Sequence, residues 1–153
     1  MDCEGIKSNK KNLIEDGKLK FFFNSLEQSR QLNQKPTGHA SRGPSSLPYP
    51  SSTNLYMEKG NTSKELMLKS MKKGFLVTEL MGSSINMSNG DYSRGASGFW
   101  VENGEIAYPV SEVTIAGNLL KIFECLIPAN DLEFDFGINA PSCLIENMTI
   151  AGV

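Results

Sequence analysis

The spacing of apolar positions along this chain favours a period of two over a period of 3.6. Gly74–Leu80 alternates well enough for a strand. Gly98–Glu102 and Glu105–Val110 flank Asn103-Gly104, a dipeptide that tolerates the positive φ angles of a type I′ turn, so they read as a β-hairpin. Val113–Ala116 continues that sheet. Leu132-Glu133-Phe134-Asp135-Phe136 is a further period-two segment, and Ser142–Ile145 and Met148–Ala151 close the chain as strands. Helical spacing is rarer. Ser25 can cap a short helix running to Leu32. Thr62 or Ser63 can cap a helix over Lys64–Met71, with Leu66, Met67, Ser70 and Met71 on one face. Residues 118–126 read as a third helix that buries Leu119, Ile122, Phe123 and Leu126. The expected class is α+β, predominantly antiparallel sheet with a few short helices.

Leu13–Leu19 places Asp16-Gly17 between apolar flanks and predicts another hairpin, whose second strand is Lys18–Asn24. Its pattern echoes Trp100–Ile106, which we read as shared turn chemistry in preference to duplication. Residues 34–54 hold four of the seven prolines, at 36, 44, 48 and 50, with many serines and glycines, and read as a long loop ending at a strand over Asn54–Lys59. The organisation expected is an N-terminal hairpin and short helix (1–33), a Pro/Ser/Gly-rich loop (34–54) and a β-rich domain (55–153).

Composition narrows the function. The chain has 153 residues, 39% hydrophobic, with a formal net charge of −2, enough for one ordinary core. No apolar run approaches the ~20 residues of a membrane helix, and the N-terminus lacks a signal-peptide core. Cys3, Cys125 and Cys143 are too few and too scattered for a disulfide scaffold, which suits a reducing cytoplasm. Residues 101–153 hold one basic residue, Lys121, against 8 acidic ones, which argues against a nucleic-acid surface there. Lys7, Lys10 and Lys11 read as a solvated strand edge.

A catalytic metal site needs convergent ligands, usually two or three histidines with a carboxylate or thiolate. The single histidine, His39, falls in the long loop. No nucleophile elbow and no phosphate-binding glycine pattern accompany it, so independent catalysis is not expected. The best binding candidate is the glycine-rich stretch Gly82–Gly98, read as a loop, where Asp91, Tyr92, Ser93, Arg94 and Gly95 gather polar and aromatic groups. Arg94 can clamp a carboxylate with two parallel hydrogen bonds. The structural alternative is an Asp91–Arg94 pair that staples the backbone.

Three runs carry a resemblance: Val77-Thr78-Glu79-Leu80-Met81-Gly82, Gly90-Asp91-Tyr92-Ser93-Arg94-Gly95, and Gly98-Phe99-Trp100-Val101-Glu102-Asn103-Gly104. Together they closely resemble the C-terminal part of the TldD/TldE (PmbA) family, on the TldE side. Thr37-Gly38-His39-Ala40 is similar to the family's small-residue loop, and residues 141–152 to its C-terminal end. The resemblance implies a cytoplasmic two-subunit zinc metalloprotease acting on small unfolded polypeptides, including modified peptide antibiotics and antitoxins. In that family the TldD subunit holds zinc with a His-Glu-x-x-x-His helix and a late cysteine. Neither is matched here, since the cysteine would align near Ala140 and Cys143 lies three residues beyond. The resemblance therefore implies an accessory half with no cofactor of its own, zinc in a TldD-type partner subunit, and an unfolded peptide as substrate. TldE-type chains are roughly three times as long, so a truncated product or an isolated domain is expected, with severed sheet edges that favour self-association. Neither a membrane nor a nucleic acid is expected as partner. The competing class is a peptide- or protein-binding interaction module without a proteolytic role.

Overall fold

A computed structural model describes residues 1–152. In chain order the elements are β1 (Ile14–Glu15), β2 (Lys18–Leu19), α1 (Leu26–Gln31), β3 (Ala40–Ser41), β4 (Tyr49–Pro50), β5 (Leu55–Tyr56), α2 (Lys64–Ser70), β6 (Lys73–Ile85), β7 (Asp91–Glu102), β8 (Glu105–Asn118), α3 (Leu119–Cys125), β9 (Ile127–Pro128), β10 (Ile138–Asn139), β11 (Cys143–Leu144) and β12 (Thr149–Ala151). The pairs β1–β2, β3–β4, β6–β7, β7–β8, β8–β12 and β9–β11 are antiparallel, and the fold is α+β with strand predominating. The chain divides into two compact units. The first is Met1–Tyr56 with Asp135–Ile138; the second is Met57–Phe134 with residues 139–152.

The first unit is held by polar contacts more than by a core. Asp16 and Gly17 adopt φ of 51° and 70°, the left-handed pair that a type I′ turn requires, between β1 and β2. The second strand ends at Leu19, well short of the expected Asn24. Ser25 precedes α1, and the Gln28 side chain accepts from the Ser25 backbone N–H at 3.0 Å. Asn24 and Thr37, both buried, exchange hydrogen bonds: Thr37 N–H donates to Asn24 Oδ1 at 2.8 Å and Asn24 N–H to Thr37 Oγ1 at 3.1 Å. The proline-rich stretch is not a bare loop, because β3 and β4 pair within it through Ala40–Pro50 and Ser41–Tyr49. Lys11 is no free surface charge; its Nζ donates to Thr37 O at 2.7 Å, and Lys10 Nζ stands 5.7 Å from the Tyr56 ring centre.

The second unit is built on a four-stranded sheet in the order β12-β8-β7-β6. Ala96, Val113 and Ile115 form its core, with Phe75, Tyr92, Val110, Met148 and Ile150 packed against them. Asn103 and Gly104, at φ of 49° and 82°, make the type I′ turn between β7 and β8. That turn is tied down: Asn103 N–H donates to Lys72 O at 2.8 Å, and a Cβ on Gly104 would stand 2.7 Å from Lys69 O.

Four sequence expectations are corrected by the structure. The stretch Gly82–Gly98 is not a loop; β6 runs to Ile85 and β7 begins at Asp91, leaving only residues 86–90 as the connection. Gly95 and Gly98 serve close strand approach instead: a Cβ on Gly98 would lie 1.9 Å from Leu76 O. Leu132–Phe136 does not form a strand, and Phe134 and Phe136 are exposed. In α3 only Ile122 is buried, while Phe123 is 63% exposed; seven residues make about two turns, enough to turn one side chain inward against Gly117. In α2, likewise, Met67 is buried and Leu66 exposed.

Candidate functional site at the β6–β7 bulge

Strand geometry splits the five candidate residues. Successive side chains on a strand point to opposite faces, so Tyr92 and Arg94 share a face with core residue Ala96, while Asp91, Ser93 and Gly95 lie on the other. Exposure follows: Tyr92 and Arg94 are half-buried, Asp91 and Ser93 exposed. No Asp91–Arg94 pair forms. Asp91 instead accepts from Asn89, whose Nδ2 lies 2.7 Å from Asp91 Oδ2, and this closes the 86–90 turn. Gly95 is spaced for strand contact, since a Cβ there would sit 3.3 Å from Met81 Cβ.

Arg94 pairs with Ile115 of β8, and Ile115 with Ile150 of β12. On its β6 side the ladder is interrupted: Met81 pairs with Gly95 and Ser84 with Ser93, so Arg94 falls opposite a bulge that contains Gly82 at φ 66°. An extra residue there breaks the ladder and re-aims nearby side chains. Arg94 Nε is shut off from solvent and has no hydrogen-bond partner. Among the described residues, no hydrogen bond or ion pair reaches the guanidinium or the Tyr92 hydroxyl. Arg94 as a whole is half-buried, so the shielding of Nε does not extend over the entire side chain.

The residues that carry metal or nucleophile chemistry elsewhere do not converge. His39 is stacked against Phe23 with ring centres 4.6 Å apart, and its Nδ1 is buried without a partner. Burial and the nearby Lys11 ammonium lower its pKa, outweighing the Thr37 backbone and Asp2, which raise it. Cys143 Sγ lies 3.8 Å from Met57 Sδ and 3.4 Å from Pro141 O. Burial and Asp131 push that thiol up, the reverse of an activated nucleophile. Among the described residues no group of three or more His, Cys, Asp and Glu side chains is placed to hold a metal ion, and this donor set does not fit a four-ligand zinc site. No helix is long and apolar enough to cross a membrane.

The second edge of the site is β6 itself. It is 13 residues long and lies at the edge of the sheet. Val77, Leu80, Met81 and Ile85 along it are 37–41% exposed. Sequence reasoning missed this edge. The bulge glycine and the Tyr-x-Arg-x-Ala alternation were available signals for a strand, but the density of glycines masked them.

The fold is an α+β domain built on a four-stranded antiparallel sheet with a bulged outer strand. The family described as the PmbA/TldA metallopeptidase C-terminal domain matches residues 1–152, and the chain belongs to it. It is 43% identical to the metalloprotease PmbA of Escherichia coli O157:H7 over 152 residues, covering 99% of this chain and 32% of that protein. Against a metalloprotease TldD homolog of Buchnera aphidicola subsp. Acyrthosiphon pisum the identity is 29% over 169 residues, covering 99% and 35%. The crystal structure of TldE from Thermococcus kodakarensis superposes with a TM-score of 0.88 at 27% identity, covering 99% of this chain and 36% of that one. A Thermotoga maritima protein described as a putative modulator of a DNA gyrase gives 0.83 at 36% identity, covering 98% and 35%. The chain thus spans about a third of the length of the relatives it matches.

Proposed function

We propose that this chain serves as the accessory, non-metal-binding half of a two-subunit TldD/TldE-like zinc metalloprotease that processes small unfolded peptides in the cytoplasm. The observation that carries this reading is the donor set. A chain 43% identical to a metalloprotease has one histidine, stacked on Phe23, and no convergent ligands beside it among the described residues. On this reading zinc, and the water it activates, belong to a TldD-type partner subunit, and no chemical step is assigned to this chain.

Its contribution is binding. A 13-residue edge strand presents backbone groups that an extended peptide can pair with, and its apolar side chains offer the contacts that accompany strand addition. The same edge is open to a second copy, so self-association competes when the partner is absent. Co-expression with a TldD-type subunit tests the reading. The two chains should purify together, and the mixture should cleave an unstructured peptide that neither cleaves alone. Peptide binding without any association with the TldD-type subunit would favour the interaction module instead.

A further inference from the structure

We propose that Arg94 and Tyr92 form a carboxylate-binding site on the core-side face of the sheet, directed at the C-terminal carboxylate of an extended peptide. The inference rests on the peptide-processing reading for the nature of its ligand. Its geometry comes from this chain alone.

A buried guanidinium nitrogen without a partner is a cost that folded proteins ordinarily avoid. Arg94 Nε is such a group. A structural role would show an acceptor, yet the nearest sequence candidate, Asp91, lies on the opposite face and is engaged by Asn89. Burial at Nε has a second effect: it limits the freedom of the side chain before any ligand arrives, which lowers the entropy lost on binding. The terminal nitrogens present the planar fork that fits a carboxylate. Tyr92 lies two residues away on the same face, roughly 7 Å along the strand, and its hydroxyl adds a neutral donor. The irregularity between Met81 and Ser84 leaves Arg94 without a residue paired to it on β6, and a second one falls farther along the ladder between Val77 and Glu79. The C-terminus of a peptide paired along the free edge of β6 would lie one strand away from Arg94, which belongs to β7.

The test uses this chain and three labelled peptides of one unstructured sequence free of Asp and Glu. One has a free C-terminus, one a C-terminal amide, and one an amide with a single internal Glu. Fluorescence anisotropy should show the free-acid peptide binding about tenfold tighter than the amide, the worth of one charge-assisted contact. Arg94→Met should abolish that preference, Arg94→Lys should keep part of it, and Tyr92→Phe should reduce it. The melting temperature of Arg94→Met should stay level or rise, because an unpaired buried donor is removed. Equal affinity for acid and amide peptides overturns the proposal, as does a preference that survives Arg94→Met. Rescue by the internal Glu to the free-acid level would overturn the C-terminal assignment and identify a side-chain carboxylate as ligand. Failure to associate with a TldD-type subunit, with the acid preference intact, would count against the accessory-subunit reading and leave this site standing.

Discussion

Two hairpins in this chain use the same turn chemistry and come to different ends. Asp16-Gly17 and Asn103-Gly104 both place two consecutive residues at positive φ. The first joins strands of 2 residues each, with Ile14 and Leu19 exposed. The second joins strands of 12 and 14 residues around a buried core of Ala96, Val113 and Ile115. A Cβ at Gly17 would meet nothing within 4 Å, whereas one at Gly104 would strike the last turn of α2. A type I′ turn thus nucleates a hairpin in either setting, but strand length is decided by what the strands bury. The short hairpin carries local contacts such as the Lys20–Glu15 bridge at 2.9 Å between half-exposed side chains, worth at most about 1 kcal/mol.

The comparison can be broken most severely inside the long hairpin. Gly98→Ala should leave the second unit unable to fold, at a cost above roughly 3 kcal/mol, because no Cβ fits 1.9 Å from Leu76 O without parting β6 from β7. Denaturant melts would read this directly. Next come the turn substitutions. Asn103→Val and Gly104→Ala should each destabilise by about 1–3 kcal/mol, since both force side chains into left-handed backbone and Gly104→Ala also presses on Lys69 O. Gly17→Ala should cost roughly 1 kcal/mol or less, from backbone strain alone. If Gly17→Ala proved as damaging as Gly104→Ala, docking onto α2 would not be what distinguishes the two hairpins.

The smallest effect separates the units by pH. His39, stacked on Phe23 in the first unit, has its pKa lowered by burial and Lys11. The neutral ring is then favoured in the folded state. Its stabilisation is complete above the ordinary histidine value of about 6.5 and declines as pH falls below it toward the folded value. The facing charges are Lys11 and Asp2. Hydrogen-exchange protection factors at Asn24 and Thr37, corrected for the intrinsic pH dependence of exchange, should fall between roughly pH 7 and pH 5, while those of β7 hold steady over that window. A His39→Phe variant should remove the difference.

Turn chemistry was the most legible part of the sequence. Asp16-Gly17, Asn103-Gly104 and the caps at Ser25 and Ser63 are local signals, and each has a local consequence. Glycine elsewhere was ambiguous. Gly82, Gly95 and Gly98 suggested a loop, but one sits in a bulge and two sit where strands approach closely, a distinction set by the opposing strand. Alternation alone misled at Leu132–Phe136, which does not form a strand. For the candidate site, residue types were readable and their grouping was not. Asp91, Tyr92, Ser93, Arg94 and Gly95 are contiguous in sequence, yet pleating leaves only Tyr92 and Arg94 together.

The central claim is that this chain works by joining a zinc-bearing subunit. The direct measurement is to mix the purified chain with a TldD-type subunit and follow both complex formation, by size-exclusion chromatography with light scattering, and cleavage of an unstructured peptide. The account predicts a complex containing both chains whose cleavage depends on zinc and on this chain. Two separate peaks, with cleavage unchanged when this chain is left out, would contradict it.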